Sequence, residues 1–396
     1  MKILEIIKPN IDFLGSSKTN NYFCPGRVNL IGEHIDYHGG GVFPTAINLG
    51  TYAFVTKRED NEFHFLSENF RAHGSKVADL NDLTYKKEDN WANYAKGMVS
   101  KFVDLGHKID HGLNILIYGN LPNGAGLSSS ASLEVLIGTI LNEEFNLNIE
   151  MIDIVQYAKD VENDYIGVNC GIMDQFAVGM SKKDKALYLN TNTLEYKLVP
   201  LELGEYTLVI ANTNKKRSLS ESKYNERRIE CDLGINKLKE NNIEFDFLCD
   251  LNVDDYKSFE NIFENNIVKN RIKHAIFEND RTMKAIDSLI KGDFIEFGNL
   301  MNQSHDSLRD LYEVSCKELD VLVNSFRTHG ATGSRMTGAG FGGCTINLVK
   351  TKIVEDVIDK VKIDYLREVG YEASFYLVNT SDGSRILKGD EILWMY

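Results

Sequence analysis

The sequence predicts an α+β fold divided into two domains. Strand-like and helix-like segments alternate along the chain without the regular strand–helix period of a doubly wound sheet. At 396 residues the chain is longer than a single core usually organises. Its 43% apolar content is that of an ordinary globular protein. No internal repeat or low-complexity segment interrupts it. A boundary falls near 180–200, giving an N-terminal domain of 1–185 and a C-terminal domain of 186–396.

The first 60 residues alternate short apolar runs with turns, as in Tyr52-Ala53-Phe54-Val55-Thr56, and read as strand-rich. Trp91 to Leu105 reads as a helix and His111 to Tyr118 as a strand. Two helices follow, 133–145 with apolar residues at 133, 136, 137, 140 and 141, then about 150–165. Another helix starts at Met173-Asp174-Gln175-Phe176. Strand signals return at 186–200 and 206–212. Residues 215–327 are largely helical and heavily charged, and strands at 343–349 and 373–379 close the chain.

Composition narrows the function classes. A net charge of −14 argues against nucleic acid as a partner. No apolar stretch is long enough to span a membrane, and the opening Met1 to Pro9 breaks off too soon for a signal peptide. Six scattered cysteines without paired spacing suggest a reducing, cytoplasmic setting. The nine histidines form no zinc-like pair with a third ligand.

The segment Leu121-Pro122-Asn123-Gly124-Ala125-Gly126-Leu127-Ser128-Ser129-Ser130-Ala131-Ser132 joins a strand to a helix. Glycines let backbone N–H groups approach an anion closely, and the serines sit where a helix N-terminus favours negative charge. Strand, glycine turn and helix start together make a phosphate cradle. It lacks the lysine of a P-loop, and Ser129 stands where a dinucleotide fingerprint needs its third glycine.

Three further constellations carry chemistry. Gly26 to Tyr37 places Arg27, Glu33, His34 and Asp36 within ten residues, a polar cluster suited either to a hydroxyl-rich ligand or to an exposed turn. In Gly171-Ile172-Met173-Asp174-Gln175-Phe176 the acid is either a partly buried functional group or a helix N-cap. Gly333 to Cys344 is a second glycine loop entering a strand, with four glycines in six residues (338 to 343).

Together these motifs resemble galactokinases of the GHMP small-molecule kinase superfamily. Gly26 to Tyr37 is similar to the galactokinase signature, Pro122 to Ala131 to the superfamily's ATP loop, and Arg335 to Cys344 to its third motif. Further similarity lies at Trp91 to Tyr94, Cys170 to Phe176 and Ser304 to Leu319. Asn123 and Ala125 stand where glycine is common, and the acidic 236–275 stretch matches nothing in the pattern.

The resemblance implies a two-domain fold of mixed and antiparallel sheets packed by helices, with the active site in the cleft between domains. It implies transfer of the γ-phosphoryl group of ATP to the anomeric hydroxyl of α-D-galactose, a step of galactose catabolism. Arg27 and Asp174 would be catalytic; Glu33, His34, Asp36, Gly171 and Tyr224 would hold the sugar. Pro122, Gly124, Gly126, Leu127, Ser128, Ser129, Ser130 and Ala131 would bind ATP, and Ser129 or Ser130 with Glu162 would place Mg²⁺. An arginine beside an acid favours the ionised, weakly basic form, which a loose phosphoryl-transfer transition state tolerates. The implied partners are galactose and ATP, for a cytoplasmic monomer. A kinase for N-acetylgalactosamine or another sugar, and a non-catalytic galactose sensor, are the alternatives.

Overall fold

The computed structural model describes residues 3–15, 18–122, 125–168, 170–215 and 220–392. Strands β1 (Asn20–Asn29) and β3 (Pro44–Lys57) form a long antiparallel pair. They are extended into six strands by β4 (Glu62–Ser67), β5 (Lys76–Asp79), β6 (Leu113–Gly119) and β13 (Arg385–Ile386). The order is β13-β1-β3-β6-β4-β5, with β4 and β6 parallel, so the sheet is mixed. Side chains alternate across it with period two. Ala53, Val55, Ile115 and Ile117 face Met98, Val99, Phe102, Val135, Leu136 and Ile140 on the helices that cover one side. Those helices are α2 (Ala92–Asp104), α3 (Ser129–Glu144), α4 (Met151–Asp160) and α5 (Met173–Met180).

The strand-rich reading of the first 60 residues fails at its start. Residues 3–14 are helical: α1 (Ile3–Ile7) and a 3₁₀ segment (Lys8–Leu14). The sheet's second face explains this, because Phe23, Tyr52, Phe54 and Leu116 need covering and Ile3, Ile7 and Leu14 cover them.

A three-stranded sheet, β2 (Gly41–Val42), β7 (Lys185–Asn190) and β8 (Tyr196–Pro200), links the two halves. The C-terminal half is built on a four-stranded antiparallel sheet. Its order is β10 (Gly333–Thr337), β11 (Cys344–Lys350), β9 (Tyr206–Asn212), β12 (Ser374–Val378). Helices α10 (Lys317–Thr328) and α11 (Val354–Val369) cover one face through Leu322, Phe326, Val357, Val361 and Tyr365. On the opposite face Leu208, Ile210, Ile346 and Leu348 share a core with Val28, Leu30, Ile31 and Phe43 of the N-terminal half. The halves therefore meet through a continuous apolar core, and β13 returns the chain to the first sheet.

The charged tract resolves into α6 (Ser220–Glu240), α7 (Val253–Phe259), α8 (Asn266–Ile290) and α9 (Phe294–Asp310). The unmatched 236–275 stretch has a core of its own. Leu238, Leu248, Leu251, Tyr256, Phe259 and Ile272 pack around Ile35, directly behind the 29–41 loop. Among the described residues, no helix is long and apolar enough to cross a membrane.

Candidate active site

The site begins at a break in β1. Between Pro25 and Gly26 the pairing with β3 shifts register, which suits a proline that cannot donate to a ladder. A Cβ on Gly26 would lie 2.7 Å from the Leu127 carbonyl oxygen, so only glycine lets the serine loop cross this strand. The Arg27 N–H then donates to the Leu127 carbonyl at 3.2 Å. The two motifs, a hundred residues apart in sequence, are thereby joined backbone to backbone.

Arg27 completes the junction with its side chain. Nε donates to Asp174 Oδ1 and Nη2 to Oδ2, both at 2.9 Å, a bidentate pair, while Nη1 donates to the Gly126 carbonyl at 2.8 Å. Ser128 Oγ donates to Asp174 Oδ2 at 2.6 Å. Ser128 has φ of 63°, and its side chain makes no capping bond to α3, so its hydroxyl serves Asp174 and not the helix start. Ser129, Ser130 and Ala131 open α3. Ala131 and Leu127 bury their side chains in the two cores, leaving backbone groups as what they can offer a ligand. Pro122 is half-buried ahead of the turn, and Gly124 lies outside the described residues.

A cavity of about 580 Å³ opens beside this junction. It brings together Arg27, Glu33, His34, Asp36, Gly171, Asp174 and Tyr224, with Gly338 to Gly340 of the second glycine loop closing one wall. The backbone at Gly171 comes so near Asp36 that a Cβ would sit 2.6 Å from Oδ2. Burial, and then the charge of Asp174, push the Asp36 carboxyl up to about 6. Burial also raises the Tyr224 phenol, with Asp36 adding to it.

Glu33 and His34 are more heavily committed to the protein than their polar character suggested. The Glu33 carboxylate accepts from Arg335 Nη2, Asn29 Nδ2 at 2.9 Å, the Gly338 N–H at 2.8 Å and Thr337 Oγ1 at 3.3 Å. His34 Nε2 donates to the Ala339 carbonyl at 3.2 Å, so its Nδ1 is the acceptor for Tyr37 Oη at 2.8 Å. Burial pushes the imidazole down to about 3, keeping it neutral. Tyr37 accepts in turn from Tyr312, at 2.9 Å.

Glu162 sits on a π-helical turn (Val161–Ile166) that continues α4, where the periodicity alone predicts plain helix to 165. Such turns shift a side chain out of the regular helical register and recur at functional sites. Its carboxylate accepts from Gln175 Nε2 at 2.6 Å, and the Ser130 hydroxyl lies close enough to favour its charged form. Burial, with the charge of Asp174, raises it. Among the described residues, no group of three or more His, Cys, Asp or Glu side chains is arranged to hold a metal. The pair Ser130 and Glu162 still offers hard oxygen donors, and Mg²⁺ needs only one or two carboxylates beside substrate phosphates and water.

A second cleft, about 220 Å³, lies on the far side of the serine loop. Thr51, Ser67, Phe70, Trp91, Tyr94 and Leu133 line it with Ser129 and Ser130. Phe70 and Trp91 stack at 6.3 Å, and the buried Trp91 indole Nε1 has no hydrogen-bond partner among the described residues. Sequence reasoning passes over this cleft, although Trp91 to Tyr94 is one of the tracts carrying the resemblance.

The chain matches three family models: the galactokinase galactose-binding signature over 12–57, the GHMP kinase N-terminal domain over 93–182 and the GHMP kinase C-terminal domain over 285–366. It is 49% identical over 388 residues to a galactokinase of Clostridium beijerinckii, covering 97% of this chain and 99% of the relative. A galactokinase of Bacillus subtilis is 48% identical over 370 residues, 93% and 95% of the two chains. Among solved structures, Lactococcus lactis galactokinase complexed with galactose superposes with a TM-score of 0.92 at 42% identity, covering 97% of this chain and all of that one. A Methanococcus jannaschii mevalonate kinase, at 19% identity and a TM-score of 0.66, shares the fold. The chain belongs to the galactokinase family of GHMP kinases.

Proposed function

We infer that the cleft transfers the γ-phosphoryl group of ATP to the anomeric hydroxyl of α-D-galactose, giving galactose 1-phosphate and ADP. The observation that carries this reading is the Arg27–Asp174–Ser128 cluster, which lies where the serine loop and the sugar-side cavity meet. The Lactococcus lactis relative, solved with galactose, supports the choice of sugar. Asp36, Tyr224 and the backbone at Gly171 would receive the sugar hydroxyls. Glu33 and His34 would shape the wall that meets them.

Asp174 would orient the attacking hydroxyl and accept its proton late. It takes three donors from Arg27 and Ser128, an arrangement that disfavours early proton removal, and a loose transition state does not need it. Arg27 would stabilise negative charge on the transferring group. The N–H groups at the start of α3 would cradle the phosphates. Ser130 and Glu162 would hold Mg²⁺, which when bound supplies positive charge to the phosphate oxygens; the nearness of the Ser130 hydroxyl to Glu162 favours Ser130 over Ser129 for this role. The apolar cleft of Phe70, Trp91 and Tyr94 suits a purine base.

We take the enzyme to be a cytoplasmic monomer, and six scattered cysteines without paired spacing agree with that reducing setting. ATP consumption measured with galactose, glucose, N-acetylgalactosamine and 2-deoxygalactose tests the reading. Turnover confined to N-acetylgalactosamine or to 2-deoxygalactose would replace galactose as the substrate, and no turnover with any sugar would favour a sensor.

A further inference from the structure

The loop between β1 and β3 carries the sugar-facing side chains on an irregular backbone. Gly32 has φ of 99°, which glycine adopts readily, and His34 has φ of 62°, a left-handed conformation that a non-glycine residue keeps only where the surroundings over-determine it. Part of the loop's hydrogen bonding is internal: the Leu30 N–H reaches Phe43, and the His38 and Gly40 N–H groups both reach Ile35. Three backbone groups are instead met by α8, from the other half of the chain. The Gly32 N–H donates to Glu278 Oε1 at 3.1 Å, and the Gly41 N–H to Asn279 Oδ1 at 3.0 Å. His274 Nε2 donates to the Glu33 carbonyl at 3.2 Å.

His274 and Glu278 lie four apart, one above the other on one face of the helix, and Asn279 stands beside that row. Thr282 completes the row, its Oγ1 lying 3.1 Å from where a Cβ on Gly32 would be. Each anchor is itself held. His274 Nδ1 accepts from Ser307 Oγ at 2.8 Å, which fixes the tautomer that donates from Nε2. Glu278 accepts from Ser304 Oγ at 2.5 Å and Arg281 Nε at 2.9 Å, and Asn279 Nδ2 donates to the Cys249 carbonyl at 3.1 Å. His274 and Glu278 are fully buried, and none of the three anchors lines the cavity.

We propose that α8 determines sugar recognition at a distance: His274, Glu278 and Asn279 are positioning residues that fix the 32–41 backbone and so set where Asp36 meets a sugar hydroxyl. The proposal rests on the reading of that loop as the galactose-binding element. Losing the His274 donor frees the Glu33 carbonyl, whose peptide leads directly into the strained His34. Its effect passes to the sugar side, because no described residue of the serine loop takes a hydrogen bond from these three residues.

The test is steady-state kinetics on the full chain for H274L, H274Q, N279A and D36A, with the Michaelis constants for galactose and ATP measured separately. H274L is expected to raise the galactose KM about tenfold and leave the ATP KM within about twofold. In H274Q the amide donates from the place of the imidazole Nε2, and the galactose KM stays within about threefold of the parent. N279A, at a half-buried position, is expected to show the same split at about threefold, and it decides the matter should H274L fail to fold. The proposal is overturned if the galactose and ATP constants rise together, if H274Q is as damaged as H274L, or if the folded α8 variants leave the galactose KM unchanged while D36A raises it. An unchanged galactose KM in D36A overturns instead the assignment of the loop to galactose.

Discussion

The 29–41 loop lines the cavity and the serine loop adjoins it through the Arg27–Asp174–Ser128 junction, yet the two dispose of their polar groups in opposite ways. On the sugar side almost every group is already taken. Glu33 accepts from four donors, both His34 nitrogens are bonded, and α8 satisfies the backbone at Gly32, Glu33 and Gly41. On the phosphate side, Ser128 and Gly126 are tied to the Arg27–Asp174 pair, while the α3 N-terminus has no side-chain cap. A neutral sugar offers weak, directional contacts, so its site must be rigid before it arrives. A polyphosphate brings enough charge to organise its own donors. Two acids stay in play: Asp174, which stands between these regimes, and Asp36, which belongs to the first.

Asp174 gives the largest test of this contrast because it touches both sides. Asp174→Asn is expected to lower kcat by about 10²–10⁴, the usual share of a general base. Single-turnover measurement on folded protein checks it. A loss below about tenfold would mean that the cluster works by positioning the two substrates and that proton transfer adds little.

Asp36 tests the sugar side alone. Asp36→Ala is expected to cut the preference for galactose over glucose, as a ratio of kcat/KM, by on the order of 10², because on the proposed reading the site loses the acceptor that would tell one epimer from the other. The ATP KM should hold. Retention of the parent preference would move discrimination to Tyr224 or to the Gly171 backbone.

Trp91 tests the phosphate side alone. Trp91→Ala removes a stacked ring, and is expected to raise the ATP KM by about tenfold while galactose binding is unchanged. Calorimetric titration of each substrate separates the two effects. Equal weakening of both would mean that Trp91 supports the first core more than it contacts a base.

The two loops also differ in how legible they are in sequence. The serine loop is local: a strand, a glycine turn and a helix start are written in consecutive residues, and α3 does begin within the serines. The sugar loop shows its polar residues but not their use. Arg335, His274 and Glu278 lie hundreds of residues away, and no periodicity connects them to Glu33 or Gly32. The same limit hides the Phe70–Trp91 cleft, assembled from separate strands and turns, and the 236–275 stretch, whose charge disguises a core packed on Ile35. The π-turn at Glu162 escapes for another reason. One extra residue in a single turn leaves the apolar pattern of α4 nearly intact while rotating the residues beyond it.

Acidity provides the finest test, since it changes one group on the rigid side without a substitution. Asp36 titrates at about 6, raised by burial and then by the charge of Asp174. If Asp36 meets the sugar as an ionised acceptor, as proposed, it does so above that value and loses the role below it. The dissociation constant of galactose alone, measured by calorimetry without ATP, is therefore expected to rise about fourfold at pH 5.5 against pH 7.5. Stability runs the other way for this group. Its folded value lies above the unfolded one near 4, so the folded state holds the proton more tightly between about 4 and 6. The stability that Asp36 contributes is full below about 4 and is lost as pH rises through 6, so acidification across this window does not unfold the protein through Asp36. Weaker galactose binding with no fall in the unfolding midpoint is the expected pair of results. A dissociation constant that stays flat to pH 5.5 would mean that Asp36 meets the sugar as a protonated donor, and the sugar-side regime would then rest on a neutral hydrogen-bonding pocket with no charge in it.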